Sequence, residues 1–160
     1  MHCETKTFTV ARFYHEREAF DVSPDFQRAD VWTREKRRLF LDSLFNGYDS
    51  PKIYLRAVAM RDDETRDYAI VDGKQRFQCI CDFVDGKIAL SPEFKFLGHG
   101  FAVRREPFPK GGDFFADLSP FWREQFKSAT LDVVVIRDAE ECNLGAMFTR
   151  LNGGASLTGV

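Results

Sequence analysis

The chain has 160 residues, 44% of them hydrophobic and 17 of them phenylalanine, with 23 basic residues against 25 acidic ones for a formal net charge of -2. A single domain of this length buries ~70% of its unfolded surface, so it needs no disulfide staples. The near-neutral balance excludes a global positive field for nucleic acid, and any DNA contact must come from a local patch.

Taken in order, residues 6 to 12 (KTFTVAR) alternate loosely and predict a first strand. After the Ser23-Pro24 turn and FQRADVW, the pattern predicts a helix from Arg34 to about Asn46. Thr33 is its N-cap, Gly47 its stop, and Phe40, Leu41 and Leu44 its apolar stripe. Residues 53 to 60 and 67 to 71 read as strands separated by the charged turn RDDETR. Asp72-Gly73 opens a second helix to about Val84, with Phe77, Ile80, Cys81 and Val84 on one face and Asp85-Gly86 closing it. Residues 88 to 115 are punctuated by Gly and Pro and predict a short strand or two plus a long loop. Ser119-Pro120 starts a third helix, with Ser as N-cap and Pro at the first position. Residues 131 to 137 (LDVVVIR) form the clearest strand. A last helix over roughly 139 to 152 buries Leu144, Met147, Phe148 and Leu151, with Gly153-Gly154 as its cap. This order predicts one small domain of mixed α/β or α+β class.

Cys3, Cys79, Cys81 and Cys142 lack Cys-x-x-Cys spacing, and the three histidines do not complete a zinc site. Reduced, mostly structural cysteines are expected. There is no signal-sequence pattern, and no apolar run approaches the ~20 residues of a membrane span. A soluble cytoplasmic protein is the expectation.

The strongest site candidate is Asp72-Gly73-Lys74-Gln75-Arg76, where a strand passes into a helix. First-turn N–H groups lack partners there and the helix dipole is positive, which suits an anion. Gly73 permits close backbone approach, Lys74 and Arg76 add charge, and Gln75 adds an amide. At 100° per residue Arg76 falls on the buried face one turn before Ile80. A guanidinium there needs a carboxylate or a phosphate as partner; the alternative is an ordinary Asp-Gly turn with Arg76 snorkelling to solvent. Residues 28 to 38 carry five basic residues (Arg28, Arg34, Lys36, Arg37, Arg38) against Asp30 and Glu35. They read as a phosphate-backbone contact or, more blandly, as a solvated helix face. Trp32 is either a base-stacking residue or core. Glu93-x-Lys95 is too short a match for a metal-dependent nuclease, and no P-loop is present.

These segments together resemble a known family. F26-Q-R-x-x-V-W-T-x-E-K, L41-D-S-L-F-x-G, P51-K-I-Y-L, I70-V-D-G-K-Q-R-F-Q and F148-T-R-L-N-G-G-A-S-L are similar to the ordered landmarks of the bacterial family once called domain of unknown function 262. Its members include the N-terminal half of GmrSD-type, modification-dependent restriction enzymes, and its hallmark is a DGQQR motif. The resemblance spans about Asp21 to Leu157. It implies a ParB/sulfiredoxin-like fold, a small mixed sheet with flanking helices, and nucleoside triphosphate hydrolysis at the motif coupled to DNA restriction and phage defence. Carried over by position, Asp72, Gly73, Gln75 and Arg76 match the motif, Lys74 replaces its first glutamine, and Gln27 and Arg28 match the family's other polar pair. On this reading Asp72, Gln75 and Arg76 are catalytic, with Asp72 holding Mg²⁺ or orienting the attacking water. Gly73, Lys74, Arg76, Gln27 and Arg28 bind phosphate, and Arg34, Lys36, Arg37 and Arg38 face DNA. Restriction members continue into a nuclease half, so a C-terminal nuclease domain or a separate nuclease subunit is the expected partner. Two rivals remain: a non-hydrolysing nucleotide or DNA sensor resembling the ParB clamp, and a sulfiredoxin-like redox enzyme. The second would need a cysteine in the motif loop.

Overall fold

The computed structural model describes residues 1–22, 31–60, 66–98 and 107–153. A five-stranded mixed sheet in the order β1-β5-β3-β4-β2 forms its frame. β1 (His2–Thr9) runs antiparallel to β5 (Thr130–Arg137), and β5 runs parallel to β3 (Ile53–Met60). β3 is antiparallel to β4 (Arg66–Asp72), which pairs in parallel with the two-residue β2 (Phe20–Asp21). The fold class is α+β with flanking helices, as the sequence pattern and the resemblance imply.

The helices divide unequally between the two faces of the sheet. α1 (Val10–His15), α2 (Arg34–Phe45), α3 (Lys74–Val84) and α4 (Pro120–Ser128) contribute to the main core on one face. α5 (Glu141–Gly153) covers the other through Leu144, with Met147 and Phe148 packed beside Val71, Val134 and Ile136. From Val133 to Ile136 β5 is buried on both faces, which explains its unbroken run of Val, Val, Val and Ile. The phenylalanines cluster: Phe126 stacks on Phe45 at 5.0 Å and meets Phe83 edge-on at 4.9 Å, while Phe13 touches Phe8, Phe20 and Phe77. Such ring pairs add ~0.5–1.5 kcal/mol each beyond their area burial.

The predicted helix starts match. The Thr33 side chain accepts from the Lys36 N–H and the Ser119 side chain from the Trp122 N–H, with Pro120 opening α4. One boundary differs. Only residues 6 to 9 of KTFTVAR are strand, because the Thr9 hydroxyl accepts from the Arg12 N–H and caps α1. Val10 and Phe13, spaced for a helix, then drop into the core. The two-residue β2 is unmarked by any alternation. Between 88 and 115 the described residues contain no strand; Leu90 is instead pinned by a backbone bond to Asp113. Most of the RDDETR turn, and Gly154 with the residues after it, lie outside the described residues.

Candidate functional site

β4 ends at Asp72, which sits opposite Tyr54 of β3, and the chain turns into α3 through Gly73 at φ 102° and ψ 12°. This left-handed conformation is open to glycine and costly for other residues. A Cβ at position 73 would lie 2.9 Å from Cγ1 of Ile53 and 3.2 Å from Nη2 of Arg76, so space as well as φ selects glycine. Unlike α2 and α4, α3 has no side-chain cap, and, unlike α2, it has no acidic residue in its first turn. Its leading N–H groups are therefore left without a side-chain acceptor, and the positive end of the helix carries no countercharge of its own.

Arg76 is one turn in, and 8% exposed. Its Nη2 donates to the Lys52 carbonyl and to Asp72 Oδ2, both at 3.0 Å. Its Nε is buried without a hydrogen-bond partner among the described residues. An N–H of a charged guanidinium buried in that state costs roughly 1–3 kcal/mol and calls for an acceptor. Snorkelling is thus excluded for Arg76. The partner that the helical wheel demands is present in part, as a carboxylate of the same motif. Gln75 points elsewhere: its Oε1 accepts from the Trp32 N–H at 3.2 Å, tying the motif to the segment that leads into α2. Lys74 is half-buried. The Lys52 carbonyl and Ile53 belong to this site, yet nothing in their residue types marks them, since one acts through its main chain and the other through its bulk.

The basic run on α2 separates into two pairs. Arg37 forms an ion pair with Asp82 of α3 through Nη2, and its carbonyl accepts from Cys79 Sγ. Arg38 donates through Nε to the Ala89 carbonyl at 3.3 Å. Arg34 and Lys36 are exposed, with Lys36 Nζ 5.2 Å from the Trp32 ring centroid. Trp32 is half-buried against the core beside Phe40. Gln27 and Arg28 lie outside the described residues.

Burial pushes the Cys79 thiol up to about 12 and the Cys81 thiol up to about 11, so at neutral pH neither provides a thiolate. This counts against redox chemistry beside the motif. A thiol-labelling reagent at pH 8, followed by peptide mapping, is expected to modify exposed Cys3 and to leave Cys79 and Cys81 unmodified until denaturant is added. Fast labelling of Cys79 in the folded protein would contradict its packing. Among the described residues no three His, Cys, Asp or Glu side chains come together as a metal site. Nor is any helix of the described residues long and apolar enough to cross a membrane.

The family model described as "GmrSD restriction endonuclease, N-terminal domain" matches residues 10–156. No curated protein matches the chain. Among solved structures, the chain is similar to the C-terminally truncated chromosome-partitioning protein ParB from Caulobacter crescentus complexed with CTP-gamma-S, with a TM-score of 0.45 and 11% sequence identity. That match covers 93% of this chain and 52% of the other, so the chain spans about half the length of the ParB fragment.

Proposed function

The chain belongs to the family of the GmrSD restriction endonuclease N-terminal domain, and from that premise we propose that its Asp72–Arg76 junction binds and hydrolyses a nucleoside triphosphate within a DNA-restriction system of phage defence. The observation that carries this reading is Arg76: a buried guanidinium with one N–H unsatisfied, at an uncapped helix N-terminus. Phosphate oxygens supply the missing acceptors there. Gly73 admits them close to the backbone, and Lys74 and Arg76 neutralise their charge. Asp72 orients the attacking water, since phosphoryl transfer asks for positioning and charge stabilisation more than for covalent steps, while Gln75 braces the motif through its bond to the Trp32 N–H. A Mg²⁺ ion would be held by Asp72 together with phosphate oxygens, in keeping with the few protein ligands this ion takes, and would supply further charge neutralisation. Gln27 and Arg28, the family's other polar pair, are assigned to phosphate binding with Lys74 and Arg76. Exposed Arg34 and Lys36 lead the DNA contact, with Arg37 and Arg38 behind them on the same helix. DNA cleavage itself falls to a nuclease domain or a nuclease subunit.

A second reading is a nucleotide-binding sensor that does not hydrolyse. It is favoured by the engagement of Asp72 with Arg76 and by Lys74 in place of the family's glutamine. Thermal-shift titration with ATP, GTP and CTP, each with and without Mg²⁺, tests both readings. A ligand at 100-fold its Kd stabilises the folded state by about 2.7 kcal/mol, or several degrees in a domain of this size. A rise with one nucleotide supports the site and names the base, and phosphate release then separates hydrolysis from binding alone. No rise with any of the three sinks both readings for this chain.

A further inference from the structure

Among the described residues β1 is the outermost strand of the sheet and is hydrogen-bonded to β5 along one edge only. Its eight residues pair with β5 in unbroken register, without the shifts that interrupt β3 against β4. His2 to Thr5 and Thr7 are exposed, and α1 turns away at Thr9 to place Val10 and Phe13 in the core beneath the sheet. The opposite edge of the sheet is the two-residue β2, too short to pair extensively. A long, regular, proline-free edge rich in Thr is a template for another strand, because its outward N–H and C=O groups have no partners in the sheet.

Edges of this kind are protected by charge, and the charges on β1 are Glu4 and Lys6. They share the face of the strand that carries Phe8 and lie two residues apart, 3.4 Å from each other, with Arg137 of β5 3.6 Å from Glu4. That spacing is complementary to itself, whereas a strand without matching charges would leave Glu4 and Lys6 set against unmatched neighbours. The geometry points to a second copy of this chain as the occupant of the edge, added antiparallel about a two-fold axis through Thr5. In this register Glu4 faces Lys6 of the partner subunit and Lys6 faces Glu4 of the partner subunit. Cys3 then meets Thr7 of the partner subunit, and the two sheets join into one. Each directly opposed pair of unlike charges is favourable, and the symmetry supplies every pair twice.

Sedimentation equilibrium over a wide concentration range tests this on the wild type, Glu4→Lys, Lys6→Glu and the double exchange. Wild type is expected to dimerise, and each single reversal, which sets like charges opposite each other twice, to weaken the dimer about tenfold. The double exchange restores the pairing and the wild-type constant. A wild type that stays monomeric, a dimer indifferent to the single reversals, or one that the double exchange fails to restore overturns the inference. Amide hydrogen exchange on wild type gives an independent reading that needs no variant. Protection of residues 2 to 8 must rise with protein concentration, and exchange there that is independent of concentration also overturns it.

Discussion

Replacing Arg76 by alanine is expected to abolish the nucleotide-dependent rise in melting temperature and to destabilise the ligand-free protein by about 2–3 kcal/mol. Both effects have the same origin. The guanidinium fills the angle between the end of β4 and the first turn of α3, and its Nη2 serves the Lys52 carbonyl and Asp72 at once. Truncation leaves that carbonyl and that carboxylate without their donor, and it deletes the N–H that has no acceptor in the ligand-free site. Because lost folding would mask lost binding, Lys74→Ala is the companion variant. Lys74 is half-buried, and removing its side chain is expected to change stability by less than about 0.5 kcal/mol while weakening nucleotide binding about tenfold through one lost charge-assisted contact. Urea denaturation and thermal-shift titration of both variants check the pair. Full nucleotide response in Arg76→Ala would remove the motif from the binding site. A large loss of stability in Lys74→Ala would instead make that residue structural.

Gly73→Ala is expected to cost about 3 kcal/mol. Holding an L-residue at φ 102° costs roughly 1–2 kcal/mol, and overpacking a tight site adds roughly 1–3. The added methyl would press on Ile53 Cγ1 at 2.9 Å and Cγ2 at 3.2 Å, in a residue that is fully buried and has no room to retreat. It would also meet Arg76 Nη2 at 3.2 Å, shifting the group that bridges Asp72 and Lys52. The two costs separate in a double-mutant cycle with Ile53→Ala. That change relieves the steric part and leaves the backbone strain, so Gly73→Ala should cost less in the Ile53→Ala background than in wild type. Strict additivity in urea denaturation would assign the whole effect to φ. An unchanged midpoint for Gly73→Ala alone would contradict the conformation of the turn.

Much of this molecule was legible from local pattern, and the failures are as local as the successes. Thr33 and Ser119-Pro120 announce their helices because capping is chemistry between residues two or three positions apart. Asp72-Gly73 announces the strand-to-helix turn for a similar reason. KTFTVAR misleads past Thr9 because alternation over so few residues also fits the first turn of a helix, and the Thr9 cap decides between them. β2 carries no signal of its own, since two residues become strand only by lying alongside Tyr68 and Ala69.

The sequence by itself determined the class of fold, the family and the motif that holds the candidate site. Each of these depends on spacing along one element or on ordered landmarks along the chain. Only the tertiary structure decided which groups complete the site. The Lys52 carbonyl reaches Arg76 from the neighbouring strand, and the Trp32 N–H reaches Gln75 from the approach to α2. It also decided that the basic run on α2 does two jobs, with Arg37 bound to Asp82 and Arg38 to Ala89 while Arg34 and Lys36 remain exposed. The physical reason is common to all of these. Main-chain acceptors carry no residue signature, and whether a charge is satisfied depends on partners some twenty to fifty positions away, brought within reach only when the helices pack on the sheet.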